Sequence, residues 1–293
     1  MTLLKTSILF HRNADRKLQP VLAGLALVSA ILLLLIIAFL LMESWPAMIG
    51  GHWSSFFTDT SWYPLEGQFG LLPMFWASIA IMAGAMILAT PLGLASAIYA
   101  SFYASGLLRT SHGLLMALLA GMPSVVLGLW GLTVLVPVIA QWEPPGASLL
   151  AAMLILALMI LPTIAMASAA ALAAVPVSLM NGAAALGMRR KTQILSVALP
   201  TARHGILSAL LLAMARALGE TMVVLMVAGN VVQYPTGLFE PVRALTANIA
   251  LEMGYAMGTH RAGLFTSGLM LTLMVLLLAW LASMIVARQP RHG

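Results

Sequence analysis

From residue 20 to residue 42 the chain carries no formal charge, and Glu43 ends the run. A helix needs about 20 apolar residues to cross a hydrocarbon core of roughly 30 Å. The run fits a retained transmembrane helix, because a cleaved signal peptide has a shorter apolar region followed by a small-residue cleavage site. Five more apolar stretches follow, at residues 71–103, 112–140, 147–174, 205–230 and 263–286. The chain is 62% hydrophobic and only 8% charged, against about a quarter charged in soluble domains. That excludes a water-soluble enzyme and predicts an all-α membrane protein of six transmembrane helices. The stretch 71–103 is too long for one upright helix and holds Pro91. It predicts a span kinked near Pro91 that continues along the interface.

Six spans place both termini on one side, and the basic residues select that side. Lys5, Arg12, Arg16, Lys17, Arg109, Arg189, Arg190, Lys191, Arg203, Arg288 and Arg291 all fall together, leaving Arg243 and Arg261 opposite and Arg216 within a span. Glu43, Asp59, Glu66, Glu143, Glu240 and Glu252 fall on the far side. The positive-inside rule then predicts that both termini are cytoplasmic. The net charge of +6 is thereby an orientation signal and not a nucleic-acid footprint.

The expected organisation is a cytoplasmic N-terminus over 1–19, a first transmembrane helix over 20–42 and an external loop over 43–70. A five-helix core over 71–286 follows, with a cytoplasmic loop at 175–203, an external loop at 231–262 and a cytoplasmic C-terminus over 287–293. The first external loop carries Trp45, Trp53, Phe56, Phe57, Trp62 and Tyr63. These read first as an interfacial aromatic belt, with a docking surface as the alternative. Pro176, Gly187 and Pro200 punctuate the cytoplasmic loop into two short helices, at 177–186 and 192–199. Such a pair is either an ordinary basic inside loop or a docking element for a cytoplasmic partner.

Chemistry of the usual kinds is missing. There are no cysteines, and Met188 stands where a phosphate-binding loop needs lysine after Gly182 and Gly187. His11, His52, His112, His204, His260 and His292 are scattered without metal-ligand spacing. No nucleophile elbow is present and no cofactor is implied. The chain carries no evident engine of its own.

The costly feature is Arg216 with Glu220 in the fifth apolar stretch. Counted from Gly205 at about 1.5 Å per residue, Arg216 is expected roughly 16 Å deep, near the bilayer midplane. Each charge there costs at least about 2.5–3.5 kcal/mol. At i and i+4 on one helix the two can pair, but Arg before Glu is the weaker order for helix stability. Gly205, Ala209, Ala213, Ala217 and Thr221 form a small-residue stripe beside them, which predicts a helix–helix interface there. A guanidinium at its edge suits an oxyanion, with Glu220 as counter-charge; the alternative is a structural ion pair clamping two helices.

Four stretches resemble the inner-membrane permeases of binding-protein-dependent ABC importers, and specifically the phosphate-specific, PstC-like subunits. They are Thr60-Ser61-Trp62-Tyr63-Pro64 with Gln68-Phe69-Gly70, and Met122-Pro123-Ser124-Val125-Val126-Leu127-Gly128-Leu129-Trp130-Gly131-Leu132. To these add Ala183, Gly187, Leu199 and Pro200 in the cytoplasmic loop, and Arg216-Ala217-Leu218-Gly219-Glu220-Thr221-Met222 with Gly229-Asn230. The resemblance implies a type I ABC importer permease (MetI-like) architecture without a catalytic site. It implies a PstA-like second permease, a PstB-like ATPase dimer and a PstS-like periplasmic phosphate-binding protein. It assigns substrate translocation to Arg216 and Glu220, and ATPase coupling to Asn181, Gly182, Ala183, Gly187, Leu199 and Pro200. The chain departs from the family's Glu-Ala-Ala at Asn181-Gly182-Ala183, and Val197 replaces isoleucine. Another oxyanion (sulfate, molybdate or a phosphonate), or a phosphate-signalling scaffold with little flux, are the alternative functions.

Overall fold

The structure, a computed structural model, describes residues 2–49 and 54–287; His52, Trp53, Arg288, Arg291 and His292 lie outside them. Five helices are long and apolar enough to cross a membrane: Leu18–Ala47, Leu72–Tyr103, Leu149–Ala173, Arg190–Leu218 and Gly258–Leu281. A sixth crossing is counted if Gly106–Gly121 and Ser124–Ala140, which meet at 91°, are taken as one broken span. The fold is all-α apart from a small hairpin. The span expected over 112–140 is thus made of two pieces, separated at Met122-Pro123, where proline disfavours a helical residue before it.

The centre is a pair of long helices, α3 (Leu72–Ile98) and α7 (Leu149–Ala173). Small residues on α3, Ala77, Ala85 and Ala89, are buried with Ile155, Leu156 and Ile160 of α7. A side chain at Gly84 would overlap Met153, and one at Gly93 would overlap Ile164, so the two backbones approach as membrane helices with small contact residues do. Helix α3 runs through Pro91 without a break. Pro91 lies on the exposed side of the helix, and a membrane helix tolerates the one backbone bond that proline removes.

The first helix, α1 (Thr2–Ala47), is exposed over residues 18–36. Its far end packs against α13 (Gly258–Ala287), where Phe39 meets Phe265 edge-on at 5.5 Å. A short α2 (Ser55–Thr58) and the hairpin β1 (Trp62–Tyr63) and β2 (Gln68–Phe69) follow, with Trp62 opposite Phe69. Gly67 closes that hairpin at φ 78. Phe56, Trp62, Phe69, Leu71, Met74, Leu245 and Leu264 form a second core. The aromatic-belt reading therefore fails for Phe56 and Trp62, which pack inward, while Trp45, Phe57 and Tyr63 are exposed.

Beyond α3 come α4 (Gly106–Gly121), α5 (Ser124–Trp130) and α6 (Val136–Ala140). After α7 the chain forms α8 (Val177–Ala185), then α9 (Arg190–Gln193), which continues through a π-helical turn at Ile194–Ala198 into α10 (Leu199–Leu218). The expected separate helix over 192–199 does not exist; it is the first part of the long span. Pro200 has no N–H for the preceding turn, and the wider π turn just before it absorbs the mismatch. The π turn at Gly131–Leu135 stands in the same relation to Pro137. Helix α11 (Met222–Val227) and α12 (Leu245–Glu252) complete the set.

Candidate functional site

Helix α10 stops at Leu218, and Gly219 to Thr221 separate it from α11. The fifth apolar stretch is therefore not one helix from 205 to 230. Arg216 occupies the last turn of α10, and Glu220 lies outside it, just ahead of α11. Their expected pairing at i and i+4 is absent. The ion pairs among the described residues join Arg243 and His260 to Glu252, and Arg261 to Glu43. Arg216 instead donates from Nη1 to Thr163 Oγ1 on α7 at 3.1 Å. Glu220 accepts the Val223 N–H at 3.3 Å.

The break explains the order of the two charges. A helix C-terminus favours a cation, and a helix N-terminus favours an anion that also accepts an orphan N–H. Arg before Glu is the weaker order on one continuous helix and the favourable one across a break. Arg216 is exposed on the chain's own surface, whereas Glu220 is half-buried beside Ser78, Val224 and Thr246. Of the small-residue stripe, Ala209, Ala213 and Ala217 are buried and a side chain at Gly205 would overlap Ala171 on α7, while Thr221 lies beyond the end of the helix.

The glycines of the third-span motif hold this break. A Cβ at Gly128 would lie 2.8 Å from the Met226 sulfur and 3.3 Å from the Val223 Cα, and one at Gly131 would lie 2.9 Å from Ile155. Helix α5 can therefore lie directly against α11 and α7. These positions belonged to the quoted motif, but their role is visible only in the packing.

The six expected coupling residues lie elsewhere, about 24 Å from Arg216 along α10 when counted from Pro200 at 1.5 Å per residue. Asn181 and Gly182 are exposed on α8, and Ala183 is buried. Gly187 ends α8 at φ 72, its N–H on the Ala184 carbonyl, while the Met188 N–H reaches the Ala183 carbonyl. That is a left-handed cap of the kind glycine favours. Leu199 packs beside the Ala198–Ile206 cluster, and Pro200 is exposed. Arg190, on α9, donates to the Phe102 carbonyl and lies 5.4 Å over the Tyr103 ring, so this region is tied to the end of α3.

A cluster that the sequence did not bring together lies at the other side of the break. Trp62 Nε1 donates to Glu252 Oε2 at 2.7 Å, His260 Nε2 lies 2.8 Å from the same oxygen, and Arg243 Nη1 donates to Glu252 Oε1 at 2.7 Å. Burial pushes the Glu252 carboxyl up, but the bonds from Trp62, His260 and Arg243, with the Arg243 charge, hold it below the ordinary value of 4.5. The partners lie up to 190 positions apart. Glu252 is one of two carboxylates in the 231–262 loop, and nothing in its spacing marks it out from Glu240.

Comparison with known proteins is consistent across sequence and fold. Residues 89–291 match the model of the binding-protein-dependent transport system inner membrane component. A probable ABC transporter permease protein, YqgH of Bacillus subtilis, is 39% identical over 78% of this chain and 77% of its own. The phosphate transport system permease protein PstC of Xylella fastidiosa is 33% identical over 81% and 80%, and that of Haemophilus influenzae 32% identical over 92% of each. Among solved structures, a chain of the MetNI methionine ABC transporter in an inward-facing conformation superposes with TM-score 0.61 at 19% identity, over 75% of this chain and 96% of that one. It shows the shared fold.

Proposed function

This chain belongs to the family of binding-protein-dependent transport system inner membrane components, and from that premise we propose that it is the phosphate-specific, PstC-like permease subunit of an ABC importer. The family implies a partner permease, an ATPase and a substrate-binding protein, and its permeases are multi-pass inner-membrane proteins that are in general non-catalytic. The finer reading names a PstA-like permease, a PstB-like ATPase dimer that hydrolyses the ATP, and a PstS-like binding protein.

The observation that carries phosphate is the run of relatives named PstC, about a third identical over most of both chains. Charge distribution supports cytoplasmic termini, with 43–70 and 231–262 outside and α8–α9 facing the ATPase. Arg216 supports an anion path for a physical reason. A guanidinium on an exposed membrane-helix surface is costly against acyl chains, by at least about 2.5–3.5 kcal/mol. A face bearing it therefore belongs against a partner subunit or a hydrated passage. There it offers a transient bidentate site to an oxyanion, with Glu220 nearby as a negative group.

Transport then follows alternating access. ATP binding and hydrolysis move the α8–α9 segment with residues Asn181, Gly182, Ala183, Gly187, Leu199 and Pro200, and the two permeases open to one side at a time. The test is uptake of labelled phosphate by the complete complex in cells lacking other phosphate transporters. Uptake displaced by unlabelled phosphate and unaffected by sulfate, molybdate or a phosphonate is expected. Displacement by one of those anions instead would reassign the substrate.

A further inference from the structure

Between α11 and α12 the chain reverses on a set of polar anchors. Gly229 and Asn230 stand in the left-handed region at φ 87 and φ 57. Asn230 gives Nδ2 to the Leu225 carbonyl at 2.7 Å and its N–H to the Val242 carbonyl at 3.1 Å. Its own carbonyl accepts Arg243 Nε at 2.9 Å. Arg243 Nη1 is meanwhile engaged with Glu252 at 2.7 Å and with Asn248 Oδ1 at 3.1 Å. Thr246, on the same short helix as Glu252, donates Oγ1 to the backbone carbonyl of Glu220 at 3.0 Å.

The segment 220–230 is thereby clasped at both ends by one body. Thr246 holds the Glu220 end and Arg243 holds the Asn230 end, while Glu252 fixes Arg243 and also receives Trp62 from the first loop and His260 from α13. Asn248 is fully buried, with its amide nitrogen lacking a partner among the described residues, so Arg243 is what orients its amide. A guanidinium suits this post because its donors fan out in one plane and serve several acceptors at once. Lysine offers one compact ammonium on a flexible stem.

We propose that Arg243 is a positioning residue for transport: braced by Glu252, it and Thr246 clamp the segment 220–230, so that the 43–70 and 231–262 loops and the Glu220 carboxylate move as one body. This rests on the reading of Glu220 as a pathway residue. A displacement of the loops reaches Glu220 through this clamp rather than through the long helices.

The test compares Arg243→Gln, Thr246→Val and the double exchange Arg243→Glu with Glu252→Arg, each in the complete complex. Three readouts are taken: abundance in the membrane, phosphate uptake as maximal rate and KM, and amide hydrogen exchange over 220–230. Arg243→Gln is expected to lower the maximal rate and to speed exchange over 222–230, each by about tenfold or more, the scale of a lost bond to a charged group. The KM for phosphate stays at the wild-type value. Thr246→Val has the same direction and a smaller size. The double exchange restores an ion pair and normal abundance but leaves the Asn230 carbonyl without its donor, so uptake stays low and exchange stays fast.

Recovery of both uptake and protection in the double exchange would overturn the inference, because the pair alone would then be sufficient. Wild-type exchange over 220–230 in Arg243→Gln would overturn it too. Should Arg243→Gln not reach the membrane, Arg243→Lys carries the same expectation with the charge retained. A wild-type complex that moves no phosphate would refute the substrate reading, and the exchange comparison would then decide the clamp alone.

Discussion

Two charged groupings lie on either side of segment 220–230, and they differ in how completely the chain satisfies them. Glu252 is buried with both oxygens occupied by Trp62, Arg243 and His260. Arg216 is exposed and has one hydroxyl partner, Thr163, and Glu220 accepts one backbone N–H. A carboxylate whose acceptor sites are filled has little left for a ligand, and its removal is felt as lost stability. A guanidinium with most donors unused on an apolar helix surface awaits something outside the chain. The satisfied cluster is read as a brace and the unsatisfied pair as a place of passage.

The largest expected effect separates these readings at once. Arg216→Gln and Glu220→Gln leave assembly of the complex intact and reduce phosphate uptake to background, measured as labelled uptake against the amount of complex in the membrane. Glu252→Ala shows the reverse emphasis: the folded chain is destabilised by about 3–5 kcal/mol, the usual cost of stranding a buried partner. Thermal unfolding of the purified protein in detergent reads this directly. Enlarging Gly128 to Val drives a side chain into Met226 and Val223 and costs about 1–3 kcal/mol by overpacking, with unfolding temperature as the readout.

A smaller effect comes from pH. The folded-state pKa of Glu252 is depressed below 4.5, so its stabilisation is fully present above that value. It is lost progressively as pH falls through the folded pKa, because the unfolded chain takes up the proton first. The wild-type unfolding temperature is expected to drop on acidification below about 4.5, and the drop is expected to be shallower in Glu252→Ala. The smallest effect is Gly187→Ala, which forces a side chain to φ 72 at about 1 kcal/mol. The same unfolding measurement resolves it.

Much of the fold was legible because uncharged runs report directly on lipid contact. The all-α membrane class and the family followed from those runs and from the Arg216–Met222 motif, and the small-residue stripe found its partner helices. Helix ends were less visible. Apolar residues flank Gly219–Thr221 closely on both sides, so a hydropathy window runs over the break, although Arg216 preceding Glu220 was a local clue that a continuous helix did not explain. The two prolines act in opposite ways, since α3 continues through Pro91 whereas Met122-Pro123 marks a corner. The Trp62–Glu252 bond joins residues 190 positions apart, a separation that no spacing rule reads.

The chain's lack of cysteine allows the most direct test of the central claim, that Arg216 faces the route of an oxyanion. In the assembled complex, Arg216→Cys is labelled with a water-soluble cationic thiosulfonate, with the Arg216-bearing complex as the blank. The account predicts that the thiol reacts, that phosphate slows the reaction while chloride does not, and that the attached ammonium restores part of the lost uptake. A thiol that never reacts, or one that reacts at the same rate with and without phosphate and recovers no uptake, would contradict it.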